Sequence, residues 1–180
     1  MFIYLILITF AMKCEAKHTV EFVPLLLTDK TDIYTIRLDE EKDTEFHKFL
    51  IMFKDTEDVY LKDDLDRILI AIEKISTNGA LESFFRYEGK YADRVCAVPL
   101  LITPRDKQKH GTLRLYCIRV SDNLLIVGGG GLKTTDSYDV DENLLSKVET
   151  LQAIDAQLQD LEKEKIKLID DLVNITVQID

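Results

Sequence analysis

GTLRLYCIRVSDNLLIVGGGGLK, residues 111–133, is the stretch on which the fold turns. Over residues 112–120 Leu113, Leu115 and Cys117 alternate with Arg114, Tyr116 and Ile118, the period-two pattern of a strand with one covered face. Ser121-Asp122-Asn123 makes a tight turn, and residues 124–127 (LLIV) are a short buried strand that runs into Gly128, Gly129, Gly130 and Gly131. Upstream, residues 94–102 (RVCAVPLLI) are a third strand, in which Pro99 demands a sheet edge or a bulge. Residues 104–111 (PRDKQKHG) form a polar, basic turn between the two. Together these segments predict an antiparallel meander with hairpin connections.

Two amphipathic helices precede it. Phe46, Phe49, Leu50 and Phe53 stand at i, i+3, i+4 and i+7. Leu61, Leu65, Ile68, Leu69, Ile72 and Ile75 repeat the pattern, stopped at Asn78-Gly79. Residues 28–45, with Asp or Glu at seven positions, read as a loop, and residues 18–27 (HTVEFVPLLL) as a strand with Pro24 at an edge or bulge. After the meander, Leu144, Val148, Leu151, Ile154, Leu158 and Leu161 trace a near-heptad stripe on a helix running from about residue 141 past residue 165. That stripe fits a core-facing helix or a partner-binding one equally well. Residues 174–179 (NITVQI) suit a final strand. The expected architecture is α+β: an N-terminal helical hairpin packed on a small antiparallel β-meander, with a long C-terminal helix. Its parts are an apolar segment at 1–17, an α+β domain at 18–140 and an acidic helix with a terminal strand at 141–180.

The 180 residues are 46% hydrophobic and 31% charged, with 23 Lys and Arg against 33 Asp and Glu, a formal net charge of −10. This is the size and composition of one ordinary domain. An acidic chain argues against a polyanion partner as a whole, yet the charge is uneven. Residues 84–133 carry nine basic and four acidic side chains, while both flanks are acidic. Residues 2–12 are almost wholly apolar. No positive charge precedes them, and they fall short of the ~20 apolar residues of a membrane span. Three readings stay open: a translation start at Met12, an export signal, or a structured strand. A cytoplasmic location goes with the first, export with the second.

Conventional chemistry is thin. Gly128 to Gly131 lack the Lys-Ser/Thr of a phosphate loop, so they serve to bend the backbone or let another surface come close. His18, His47 and His110 have no metal-ligand spacing, and Cys14, Cys96 and Cys117 match no zinc pattern. The expectation is no metal, no cofactor and reduced thiols. Asp63-Asp64 and Asp170-Asp171 read as solvated helical faces. What remains is basic and aromatic. Arg86, Lys90 and Arg94 lie before the meander's first strand, Arg114 and Tyr116 within it, and Lys133 and Tyr138 after it. A meander gathers such ends, giving either a cationic patch edged with tyrosine, as a single-stranded RNA site requires, or ordinary surface Arg and Tyr.

The helix–helix lead followed by GALESFFRYEGKYADRVCAVPL, GTLRLYCIRVSDN and LLIVGGGGLKTTDSY resembles the RelE/HigB-like toxin superfamily, in particular its phage-derived branch, over about residues 45–145. The resemblance implies a RelE-like fold and a type II toxin–antitoxin system. Its chemistry would be metal-independent cleavage of mRNA at the ribosome, which inhibits translation, and its partner a helix-turn-helix antitoxin. By position it assigns catalysis to Lys133, Arg114 and Tyr138, and RNA binding to Arg86, Lys90, Tyr116 and Arg94. It implies no membrane partner. Where the family often has a second basic residue after the lysine, this chain has Thr134-Thr135-Asp136. That departure supports the alternative of a non-catalytic interaction module on the same fold, with self-association through the 141–165 helix.

Overall fold

The computed structural model describes residues 17–87, 93–135 and 137–179, with only the backbone of Arg86 and Tyr87. The N-terminal apolar stretch, Cys14, Lys90, Tyr91 and Asp136 lie outside the described residues.

A strand hairpin comes first. β1 (His18–Leu26) pairs antiparallel with β2 (Asp32–Leu38), and the register slips between Pro24 and Leu26, where proline has no N–H to give. β2 corrects the loop expected at 28–45. Ile33, Tyr34, Thr35 and Ile36 are all buried, so the strand has two covered faces and no clean alternation, and the surrounding charges obscured it. The two helices then follow: α1 (Glu45–Phe53), capped by the Thr44 hydroxyl, and α2 (Val59–Asn78), capped by Asp58 and ended at Gly79 with φ +100°. They follow two strands, so they do not form an N-terminal hairpin.

β3 (Arg86–Tyr87), β4 (Val95–Ala97), a one-turn α3 (Lys107–His110), β5 (Thr112–Ser121) and β6 (Leu124–Lys133) come next. The strand expected at 94–102 is cut to three residues, because Pro99 cannot donate to the ladder once Val98 N–H has bonded Leu115 O. The chain closes with α4 (Glu142–Lys163), capped by Asp141, a one-turn α5 (Leu168–Asp171) and β7 (Thr176–Ile179).

Among the described residues the strands form one mixed sheet, ordered β3-β4-β5-β6-β2-β1-β7, in which β2 and β6 are the parallel pair. The expected meander is therefore half of a larger sheet. Helices cover both faces. Phe46, Phe49, Ile68 and Ile72 pack with Ile33, Leu113, Leu115 and Leu125 on one side. Leu144, Val148, Leu151, Ile154 and Leu158 pack with Phe22, Ile36, Tyr116 and Ile118 on the other. The apolar stripe of α4 is thus spent on the sheet. β7 pairs with β1, so residues 141–179 complete the core rather than trail from it. Cys96 and Cys117 face each other across β4 and β5 with buried, free thiols in hydrogen-bond contact 3.6 Å apart; burial pushes the Cys117 thiol well above its usual range.

The glycine run sits where these layers meet. β2 stops pairing with β6 at Thr35–Val127, so the strand beyond it is open on that side. A Cβ at Gly128 would lie 2.7 Å from Leu151 of α4, and one at Gly130 would overlap the Arg114 carbonyl. A Cβ at Gly129 would lie 2.9 Å from the Glu45 carboxylate and from Lys147. Here Lys147 of α4 reaches Glu45 of α1 at 2.8 Å, tying together helices from opposite faces. Burial would raise the Glu45 pKa, but hydrogen bonds from Lys147 and Lys48 outweigh it and hold the carboxyl below its ordinary value. Gly128→Val should lower the unfolding free energy by about 1–3 kcal/mol. The checking measurement is a shift of the urea midpoint at unchanged slope, with the exposed Glu149→Gln as a control near zero.

Candidate functional site

Where β4 ends, the chain swings away from β5 over residues 98–106 and returns through α3. Loss of the neighbour strand orphans the Leu113 N–H, and Asp64 of α2 accepts it at 3.0 Å. The same carboxylate takes both terminal nitrogens of Arg105, one at 2.9 Å, and both side chains are fully buried. The Arg105 guanidinium also lies 5.1 Å from the Tyr60 ring centre. Asp64 is thus a buried anchor, not the solvated carboxylate its sequence context suggests. Nearby, Arg67 bonds Asp63 at 2.9 Å and Leu101 O at 3.3 Å, and the Thr103 hydroxyl donates to Asp63 at 2.6 Å. His110 Nδ1 meets the α2 cap Asp58 at 2.7 Å. Hydrogen bonds from His110 to Asp58, and from Thr103 and Arg67 to Asp63, hold both carboxyls below their usual pKa.

Between α2, this anchored loop and the ends of β5 and β6 opens a groove of about 1200 Å³. Arg67, Lys74, Lys107, Arg114 and Lys133 line it, and no Asp or Glu does among the described residues. Ile70, Phe84 and Leu101 give it an apolar wall, while Thr112, Thr134, Thr135 and Ser137 supply hydroxyls. Thr112 stands opposite Lys133 and Arg114 opposite Gly131, so Arg114 and Lys133 leave one face of adjacent strands at diagonal positions. Two sequence-selected residues therefore converge here.

The others do not. Tyr116 is 1% exposed beneath α4, so its ring is closed to a base; the alternation holds, but α4 covers the face that it predicted to be open. Arg94 is committed to α4. Its Nε bonds Asp155 at 2.7 Å and its Nη1 bonds Glu162 at 2.9 Å, with Asp155 fully buried. Tyr138 turns its ring edge-on to Tyr116, 6.2 Å between centres, beside the α4 core. Arg86 is placed as backbone opposite Ala97, and Lys90 lies outside the described residues.

Sequence reasoning missed Arg67, Lys74, Lys107 and Phe84. Arg67 and Lys74, seven apart on α2, share a face two turns apart, and Lys107 belongs to the basic turn; these were findable. Phe84 carried no local signal. Among the described residues no three His, Cys, Asp or Glu side chains gather as a metal site would need, and no helix is long and apolar enough to cross a membrane. No protein-family model, curated protein or solved structure matches the chain.

Asp64→Asn leaves Arg105 charged and buried without its counter-ion, so thermal and urea unfolding should show a loss of about 3–5 kcal/mol. The depressed Asp58 carboxyl contributes stability that is present above its ordinary pKa of about 3.9 and is lost as pH falls through the folded value. Melting temperatures taken from about pH 5 down to pH 2.5 should therefore fall less steeply in His110→Ala than in the parent chain.

Proposed function

We propose that this chain is a RelE/HigB-like toxin, a metal-independent endoribonuclease that cleaves mRNA at the ribosome and is held in check by a helix-turn-helix antitoxin. The observation that carries the reading is the meeting of Arg114 and Lys133 in a groove with five cationic side chains and no carboxylate among its described residues, on a chain of net charge −10. Phosphate recognition by clustered Arg and Lys is the chemistry such a groove suits. Two helices followed by strands, α1, α2, β3, β4, α3, β5 and β6, lie within the residues of the resemblance, with β1 and β2 ahead of them.

On this reading the RNA's own 2′-hydroxyl gives its proton to water and attacks the adjacent phosphorus, the 2′-O–P bond forms, and the bond to the 5′-oxygen breaks as that leaving oxygen takes a proton from water. Arg114 and Lys133 neutralise the charge that builds on the non-bridging oxygens. Tyr138, packed on Tyr116, is left to position the turn after β6 rather than to move a proton. The buried Tyr116 and the paired Arg94 favour the second reading, a non-catalytic module of the same kind that binds its partner through this groove.

Induced expression in a bacterial host separates the two. The toxin reading expects growth arrest and a fall in translation, both relieved in Arg114→Ala and Lys133→Ala at matched protein levels. Unaffected growth at verified expression of the parent chain overturns it.

A further inference from the structure

We propose that the apolar wall of the groove is a subsite for one unstacked nucleobase, with Phe84 as its stacking platform, so that the bound RNA is single-stranded. The inference rests on the RNA-directed reading of the same groove. Phe84 is 45% exposed, Ile70 48% and Leu101 79%, and all three line one cavity with Lys74, Lys107 and Arg114. Single exposed apolar side chains are ordinary, but a cluster of them inside one cavity marks a contact surface. Acidic residues outnumber basic ones in the whole chain, yet none is among the described residues that line this cavity. The groove therefore selects a ligand that carries several negative charges and, within reach of them, a flat apolar face.

A nucleotide strand has both. In a duplex the bases are paired and stacked away from the phosphates, so only an unpaired strand can lay a base on Phe84 while its phosphates meet the cations. An acidic peptide offers the charge without the flat face that Phe84 would stack. Phe84 is held for this task by the short turn of Glu82–Phe84, with its neighbour Phe85 buried in the core as an anchor. Arg67 takes less part, since Asp63 and the Leu101 carbonyl already occupy its guanidinium.

The chain has no tryptophan, so Phe84→Trp places a single reporter in the groove. Its fluorescence should be quenched by a single-stranded RNA of about ten nucleotides and left unchanged by an abasic strand of the same length and charge. In the full chain, Phe84→Ala should weaken binding of the intact strand about tenfold without affecting the abasic one, and Arg114→Ala should weaken both. Leu101→Ser, at a side chain too exposed to matter for folding, should reproduce the Phe84→Ala pattern in milder form. Equal binding of intact and abasic strands with no quenching overturns the base subsite and leaves RNA binding standing. So does equal competition by a poly-glutamate peptide. No binding of either strand at low salt overturns both.

Discussion

Both helical layers of this protein come down onto the same bare backbone. β6 runs through Gly128, Gly129, Gly130 and Gly131 without a side chain, and α4 approaches until Leu151 and Leu144 fill the space a Cβ would take. On the other face α1 begins at the same place, and the Glu45–Lys147 pair crosses where β2 has left β6. Close packing of this kind leaves no slack, since interiors are as dense as organic crystals. The end of the same strand carries Lys133, so the approach of α4 also fixes one side of the groove.

The groove itself follows from a strand that stops early. Pro99 ends β4 at the point where β5 goes on to Thr112, and the sheet edge so exposed has to be satisfied by something else. Asp64 does this from α2, and Arg105 neutralises it. A buried pair gives little net stability, but it fixes the loop's place, because any other arrangement would strand a charge. The result is an open slot between helix and sheet.

That arrangement also revises the charge reading. Nine basic residues in 84–133 looked like one cationic patch, but among the described residues at least three of them are tied elsewhere. Arg94 is held by Asp155 and Glu162, Arg105 by Asp64, and Arg119 by Asp122 and the Ala80 carbonyl. The groove's cations come instead from two sources, the meander (Lys107, Arg114, Lys133) and α2 (Arg67, Lys74). A count along the chain cannot separate a cation that anchors a loop from one that faces a ligand. The distinction depends on where the acidic partner sits, 61 residues away for Arg94 and 41 for Arg105.

The sequence by itself determined what depends on neighbours in the chain. The two helices with the stop at Gly79, the β5–β6 hairpin, the breaks at Pro24 and Pro99, the glycine run as a place of close approach, and the gathering of Arg114 and Lys133 at the meander all follow from local periodicity and turn chemistry. Tertiary structure decided what depends on the second covered face. It made residues 32–38 a central strand, turned the α4 stripe inward, buried Tyr116, and brought Phe84 and α2 to the groove. Burial on both sides erases the alternation by which a strand is read, and only the folded sheet shows which face of a residue meets helix and which meets water.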